Sequence, residues 1–258
     1  MAKRMSRFYT SPENIKDNTI LIDGQEARHI LNVMRLKEND KVVVFDGTGK
    51  EYTGFIKEIH RRQGFGGQAK PKALTVEVVT TRVPKPEALP EITLAQAIPK
   101  KGKMDYIVEK ATELGVSDII PFVSERTIVK IDREKGEGRV RRWRRIAKEA
   151  AKQCGRTDIP EVKSAQKFYN VIDNVNDYDL CLVACLAEDR ISIKDALSDF
   201  RTGKIIVFIG PEGDFTPDEI TMAKDINCKF ISLGKRVLKS DTAGIFVLSV
   251  LNYELSCR

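Results

Sequence analysis

Two short glycine-containing segments near the C-terminus restrict the fold of this chain more than any other feature. Residues 209–215 read IGPEGDF and follow an apolar run, and residues 233–243 read LGKRVLKSDTA. Each segment lies where a short strand should end and a helix should begin. The carboxyl ends of neighbouring strands in an open α/β sheet form the usual ligand site. We therefore expect an α/β fold with a ligand site between these two turns.

A proline-rich stretch divides the chain. Pro84, Pro86 and Pro90 fall close together, and prolines so spaced exclude a helix or a central strand. The sequence predicts a first domain over residues 1–82, a linker over 83–91 and a second domain over 92–258.

The first domain is predicted to be a small β-barrel with one helix. Runs rich in Val, Ile, Tyr and Phe predict strands at 19–22, 41–45, 52–59 and 74–80. The helix is expected over 25–34, with Ala27, Ile30, Leu31 and Met34 on its buried face. Residues 61–72 hold three glycines and predict a flexible, exposed hairpin tip.

The second domain is predicted to alternate strands and helices. Strands are expected at 92–98, 118–123, 180–184, 205–209 and 230–233, and helices at 103–114, 138–154 and 242–255. The continuous apolar strand 205–209 favours a parallel sheet covered on both faces. Gly115 should end one helix, and Thr216, Pro217 and Glu219 should begin another.

The last helix is apolar on nearly every side, so we expect it to be buried on more than one side. A dimer interface would bury it in this way, and burial within the monomer is the alternative.

The composition limits the classes of function. No stretch reaches the roughly 18 apolar residues of a membrane span, and no apolar segment follows the basic N-terminus, so we expect no signal peptide. The chain has five cysteines without a CxxC spacing, and two histidines. Reduced thiols, a cytoplasmic location and no metal site are the expected consequences.

The formal net charge is +7, and basic residues are dense between 139 and 156. Such a charge suits a polyanionic partner such as nucleic acid. A solvated basic helix face is an equally good interpretation of the charge alone.

Eight segments together carry a resemblance to a known family. Besides the two segments described first, they are RFY at 7–9, HILNVMR at 29–35, FDGTG at 45–49, KATELGV at 110–116, PFVSER at 121–126 and EAAKQCGR at 149–156. In this order they resemble the bacterial 16S ribosomal RNA (uracil-N3)-methyltransferases of the SPOUT superfamily, and the match spans nearly the whole chain.

The resemblance implies a PUA-like RNA-binding barrel followed by an α/β SPOUT domain with a deep trefoil knot. It implies a homodimer that binds S-adenosyl-L-methionine in the knot. The implied reaction is methylation of N3 of one uridine, uridine 1498 by the family's pattern, in 16S rRNA of the small ribosomal subunit.

The residues that the resemblance assigns to the cofactor are Leu186, Ile209, Gly210, Pro211, Glu212, Gly213, Leu233, Gly234, Arg236 and Leu238. Glycines would let the backbone approach the cofactor closely, and leucines would supply apolar contact.

The implied chemistry requires the loss of the N3 proton. Arg126 or Arg156 would stabilise the resulting negative charge, and Glu212 or Asp241 would take the proton or orient the base. Asp241 could instead act only as a helix cap, and Arg126 only as a surface ion-pair partner. Expected RNA contacts are Arg7, Arg28, His29, Arg35, Arg142 and Arg145.

The chain departs from the family pattern at two places. Asp214 replaces a second glycine, and Lys239, Ser240 and Asp241 replace the commoner Arg-Thr-Glu. These replacements bear on the roles of individual residues more than on the family. Two other functions stay open: a non-catalytic RNA-binding protein on this scaffold, and a knotted methyltransferase with another RNA target.

Overall fold

The chain forms two compact units in a computed structural model that describes residues 7–62, 70–83, 90–128 and 133–256. The first unit consists of Met1–Lys85 and Ala151–Ile159, and the second of Pro86–Ala150 and Pro160–Arg258. Nothing in the sequence pattern predicts that residues 151–159 join the first unit. Most of the expected linker, residues 84–89, lies outside the described residues.

The first unit is built on one six-stranded sheet. Its strands are β1 (Arg7–Tyr9), β2 (Ile15–Lys16), β3 (Thr19–Asp23), β4 (Lys41–Phe45), β5 (Glu51–Arg62) and β6 (Lys70–Arg82), in the order β1-β4-β5-β6-β3-β2. All four predicted strands are present. The pairings among the described strands follow an open order with β1 and β2 at the two ends, and they do not close the predicted barrel.

The helix of the first unit changes its winding halfway. An α-helical turn, α1 (Gly24–Arg28), continues into a π-helical turn over His29–Val33. Ala27 and Ile30 are buried as predicted, but Met34 is 40% exposed. The wider π turn rotates the end of the helix, so the predicted position of Met34 on the buried face is wrong.

Both ends of the predicted hairpin tip, residues 61–72, belong to strands. β5 extends to Arg62 and β6 begins at Lys70, so part of 61–72 is strand, and residues 63–69 lie outside the described residues.

The second unit holds an eight-stranded, fully parallel sheet. Its strands are β7 (Glu91–Ala97), β8 (Asp118–Val123), β9 (Glu161–Val162), β10 (Gln166–Lys167), β11 (Leu180–Ala184), β12 (Ile191–Ser192), β13 (Lys204–Ile209) and β14 (Lys229–Ser232). Their order is β10-β8-β7-β13-β11-β14-β12, and β9 pairs with β8. The predicted parallel sheet is confirmed.

The helices that follow β7 in the chain are α2 (Met104–Glu113), α3 (Arg133–Cys154), α4 (Phe168–Ile172), α5 (Ile193–Ala196), α6 (Pro217–Asp225) and α7 (Ser240–Ser256). They belong to the second unit, except for residues 151–154 at the end of α3, which belong to the first. The capping box of α6 is present, since the Thr216 hydroxyl accepts from the Glu219 N–H and the Glu219 carboxylate accepts from the Thr216 N–H. Gly115 follows α2 with a φ of +85°, as its predicted role at a helix end requires.

One side of α7 faces the core and the other faces solvent. Val247, Leu248 and Leu251 are at most 1% exposed, whereas Phe246 is 40% and Tyr253 70% exposed. Within the single chain α7 is therefore buried on one side only.

The cysteines differ from the expectation of reduced thiols. Cys181 and Cys228 form a disulfide with Cα atoms 4.8 Å apart. Leu182 pairs with Lys229 across β11 and β14, so the preceding cysteines face each other at a distance that disulfides require. Among the described cysteines, Cys154 and Cys185 are free.

Candidate functional site

A cavity lies at the carboxyl edge of the parallel sheet. β13, β11 and β14 are neighbours, so the loops that follow them meet at one place. These loops and the first turn of α7 enclose about 260 Å³. A cavity therefore lies at the edge of the sheet where the ligand site is predicted.

Most of the predicted cofactor residues line this cavity. Those that do are Leu186, Ile209, Gly210, Pro211, Glu212, Leu233, Gly234, Arg236 and Leu238. Gly213 is not among the lining residues; its Cα faces the Arg126 side chain, which an added Cβ would meet at 3.4 Å.

Eight further residues that were not assigned to the cofactor also line the cavity: Ala184, Cys185, Arg190, Asp214, Val237, Lys239, Ser240 and Ala243. Asp214 lies inside the predicted segment 209–215, and Val237, Lys239, Ser240 and Ala243 lie inside the predicted segment 233–243. Ala184 and Cys185 directly precede Leu186 in the chain. Arg190 is four residues from Leu186 and lies in none of the predicted segments.

The turn after β13 is held tightly. An added Cβ on Gly210 would lie 3.1 Å from the Phe215 ring, so any larger residue would require this ring to shift. The Ser240 hydroxyl donates to the Gly210 carbonyl at 2.7 Å and accepts from Gln96 Nε2 at 2.9 Å. All three residues are buried, so the start of α7 and β7 together fix the turn.

Asp214 connects two of the cavity loops. Its backbone has a φ of +58°, and its carboxylate accepts from the Leu186 N–H at 2.8 Å. The two residues are on the loops after β13 and β11 respectively.

The two carboxylates proposed for acid–base chemistry have different surroundings. Glu212 lines the cavity, is exposed, and accepts from the Lys100 N–H at 3.2 Å. Asp241 does not line it and pairs with Lys103 Nζ at 2.7 Å. Partial burial acts to raise the pKa of Asp241, but hydrogen bonds from Lys103 and a backbone N–H outweigh this effect and hold the pKa below 3.8.

Arg126 lies beside the cavity loops rather than in the cavity wall. Its guanidinium donates to the carbonyls of Gly213 at 2.7 Å and Phe215 at 3.2 Å. The buried Glu219 carboxylate accepts from the Glu125 N–H at 3.0 Å and the Thr216 N–H at 2.9 Å. The 124–127 and 211–216 loops are thus fastened to each other.

Arg156 belongs to the first unit. Its guanidinium pairs with Asp158. Arg7 donates to the carbonyls of Gly155 and Arg156 and pairs with Glu51 at 2.9 Å. The predicted RNA contact Arg7 is therefore largely occupied inside its own unit, with its side chain 18% exposed.

The other predicted RNA contacts are on the surface. Arg28, His29 and Arg35 are exposed around the α1 and π turns of the first unit. Arg142 and Arg145 are exposed on α3, where Arg142 pairs with Asp105 at 2.5 Å.

Cys185 is a buried thiol in the cavity wall. Burial raises its pKa to about 11, so the thiol is neutral at physiological pH.

The described residues lack both a metal-binding cluster and a membrane-spanning helix. No group of three or more His, Cys, Asp or Glu could hold a metal ion in this part of the chain. Likewise, none of the described helices combines the length and apolar character of a membrane span.

Two family models match the chain. An RNA methyltransferase domain matches residues 85–252, and an RNA methyltransferase PUA domain matches residues 22–65.

Relatives of known name and structure match nearly the whole length of the chain. The chain is 30% identical over 241 residues to ribosomal RNA small subunit methyltransferase E of Bacillus subtilis, covering 92% of this chain and 90% of the relative. The structure of ribosomal RNA small subunit methyltransferase E from Neisseria gonorrhoeae bound to S-adenosyl methionine is similar, with a TM-score of 0.80, 29% identity and coverage of 97% and 98%. A Legionella pneumophila protein in complex with the same cofactor has a TM-score of 0.84 and 30% identity, with 98% of both chains covered. The fold, the edge-of-sheet cavity and these full-length similarities lead to one assignment: the chain belongs to the ribosomal RNA small subunit methyltransferase E family.

Proposed function

We propose that this protein is an S-adenosylmethionine-dependent methyltransferase that modifies N3 of uridine 1498 in 16S rRNA. The observation that carries the proposal is the cavity at the edge of the parallel sheet, in a chain that belongs to this family. Nine of the residues that the family pattern assigns to the cofactor line that cavity.

The cavity suits the cofactor chemically. Apolar side chains of Leu186, Ile209, Leu233 and Leu238 line it and match the faces of an adenine ring. The Glu212 carboxylate offers a partner for a cationic group. The volume of about 260 Å³ is slightly below the roughly 300–1,000 Å³ usual for ligand sites. A second copy of the chain would complete the wall of such a site.

When bound, S-adenosylmethionine supplies the methyl group. The residues of the chain hold the target base in line with that group, and positioning of this kind supplies much of the catalysis. Glu212 is the better placed proton acceptor, because it lines the cavity, whereas Asp241 is paired with Lys103. An exposed carboxylate within reach of the base can remove the N3 proton.

Arg126 and Arg156 are the proposed stabilisers of the negative charge on the uracil. Fixed cations directed at developing charge lower the barrier most. Arg126 keeps its guanidinium against the loop of Gly213 and Phe215, and Arg7 holds the backbone at Arg156.

The RNA substrate would be bound by exposed basic residues. Arg28, His29 and Arg35 of the first unit and Arg142 and Arg145 of α3 are exposed and can contact phosphates. The target base must be unpaired or flipped from its stack to reach a cavity of this kind. We propose the assembled small subunit as the substrate.

The finer features of the fold are also proposals. A PUA-like barrel in the first unit and a trefoil knot in the second follow from the family, and the cavity loops would be parts of that knot. The exposed side of α7, with Phe246 and Tyr253, is the proposed homodimer interface, since exposed aromatic residues are enriched at interfaces.

Two measurements test this function. Calorimetry should detect S-adenosylmethionine binding to the purified protein. Mass mapping of 16S rRNA from cells that lack the gene should show that uridine 1498 is unmodified. The wild-type gene should restore the modification, and the Arg156→Ala variant should not. The control is Arg201→Ala, which removes an exposed arginine away from the cavity and should restore the modification. A modified uridine in cells without the gene would disprove the proposed target.

A further inference from the structure

Asp214 has a backbone conformation that few residues adopt. Its φ is +58°, in the left-handed region that glycine, asparagine and aspartate tolerate best. Its N–H donates to the Pro211 carbonyl at 3.1 Å, so the loop turns sharply and directs the carboxylate back over the strand ends.

That carboxylate accepts the backbone N–H of Leu186 at 2.8 Å. The ladder between β11 and β13 ends at the pair Ala184 and Ile209. Beyond this pair, the Asp214 side chain provides a further link between the two chain segments. A hydrogen bond to an ionised acceptor is stronger than one between neutral groups.

Both ends of this link are in the cavity wall. Leu186 and Asp214 line the cavity, and the Leu186 side chain is 52% exposed. Because an exposed leucine on a loop is held by little packing, the hydrogen bond to its backbone fixes the position of this part of the cavity wall.

We propose that Asp214 is a positioning residue that holds Leu186 in place as the apolar wall for the adenosyl part of the cofactor. This inference rests on the proposed function. The hydrogen bond of Asp214, and not its negative charge, is the feature that supports cofactor binding. Three cations, Arg190, Arg236 and Lys239, also line the cavity and counterbalance the charge of the carboxylate.

Two substitutions separate these effects without backbone strain. Asp214→Gly keeps the left-handed turn and removes the acceptor. Asp214→Asn also tolerates the turn and keeps an acceptor oxygen, but removes the charge. Glu188→Gln is the control, because it removes an exposed negative charge from the same loop as Leu186.

Two readouts test the proposal on the full-length protein. Hydrogen exchange of the Leu186 amide should accelerate about tenfold in Asp214→Gly, the effect of losing one charge-assisted hydrogen bond. Calorimetry with S-adenosylmethionine and S-adenosylhomocysteine should show that Asp214→Gly loses about tenfold in affinity for both ligands. The loss should be equal because both ligands contain the adenosyl part. Asp214→Asn and Glu188→Gln should remain within about threefold of wild type in both readouts.

The proposal is overturned if Asp214→Gly keeps wild-type amide protection and affinity. It is also overturned if Asp214→Asn binds both ligands as weakly as Asp214→Gly does, or if Asp214→Asn loses affinity for the cationic S-adenosylmethionine alone. In either case the charge of Asp214 would be the feature that supports binding. Wild-type protein that binds neither ligand would disprove the proposed function instead, and the exchange rate of Leu186 would still report whether the link exists.

Discussion

The hydroxyl of Ser240 donates to the carbonyl oxygen of Gly210 at 2.7 Å, although 30 residues separate them in the chain. Ser240 is the first residue of α7, and Gly210 is the first residue after β13. This contact fastens the start of α7 to the turn that follows β13, and both residues are buried.

Ser240→Ala should therefore destabilise the protein and weaken cofactor binding. The substitution removes the donor to the buried Gly210 carbonyl, and leaving a buried polar group unpaired costs roughly 1–3 kcal/mol. It also removes one acceptor of Gln96 Nε2, which keeps its hydrogen bond to the Ala97 carbonyl at 3.0 Å. Urea unfolding should measure the loss. Ser249→Ala, which removes an exposed hydroxyl on the same helix, should change the unfolding free energy by less than about 0.5 kcal/mol. Equal effects of the two substitutions would contradict this account.

Glu219→Ala should loosen the two fastened loops. The Glu219 side chain is buried at 4% exposure and accepts two backbone N–H groups, so its removal should cost about 2–4 kcal/mol. Glu219→Gln keeps one acceptor oxygen and should cost less. Hydrogen exchange at Glu125 and Thr216 should rise most in the alanine variant, and unchanged protection there would exclude the predicted link.

The pairing of Asp241 with Lys103 predicts a loss of stability at low pH. Because the pKa of Asp241 is lowered in the folded state, the pair contributes above the unfolded pKa of 3.8, and the contribution disappears as the pH falls through the lower folded value. The contribution should be at most about 1 kcal/mol, since both partners are partly exposed. Unfolding free energies measured between about pH 2 and pH 6 should depend less on pH in Asp241→Asn than in the wild-type protein. The exposed Asp225→Asn should keep the wild-type slope.

Cys185 should resist alkylation at neutral pH. Burial raises its pKa to about 11, so only a small fraction is thiolate at pH 8, the reactive form. Iodoacetamide should label the less buried Cys154 first, and labelling of Cys185 should increase as the pH approaches 11. Bound S-adenosylhomocysteine should slow the labelling of Cys185 at any given pH, because Cys185 lines the cavity. Peptide mass spectrometry gives both rates, and faster labelling of Cys185 than of Cys154 at pH 8 would contradict the prediction.

Phe246→Asp should weaken the proposed dimer. Phe246 and Tyr253 are on the exposed side of α7, and a charge there would be costly to bury in an interface. Sedimentation velocity should show more monomer than for wild type. Tyr169→Asp replaces a similarly exposed aromatic residue on α4 and should leave the association unchanged. A wild-type protein that sediments as a monomer would exclude this interface.

The regular parts of the fold followed from local patterns. The apolar run before Gly210 predicted a buried parallel strand, and Thr216 with Glu219 predicted the start of α6. Both signals are contained in a few neighbouring residues. α4 and α5 were missed because five and four residues are too few to show a helical period.

The features that sequence patterns missed depend on distant parts of the chain. The disulfide of Cys181 and Cys228 exists because β14 is the neighbour of β11, and no local pattern reveals strand order. Arg190 became visible as a cavity residue only when the loops were brought together, and so did the link between Asp214 and Leu186. The cavity motifs themselves were predictable, because each one combines a strand end with glycine.

Residues 151–159 have a consequence for synthesis of the protein. The carbonyls of Gly155 and Arg156 accept from Arg7, Lys152 pairs with Glu26, and the Thr157 carbonyl accepts from the Gly49 N–H. A nascent chain that has emerged only as far as the proline-rich stretch lacks all of these partners. The N-terminal unit therefore completes its set of contacts only after more than half of the polypeptide has been translated.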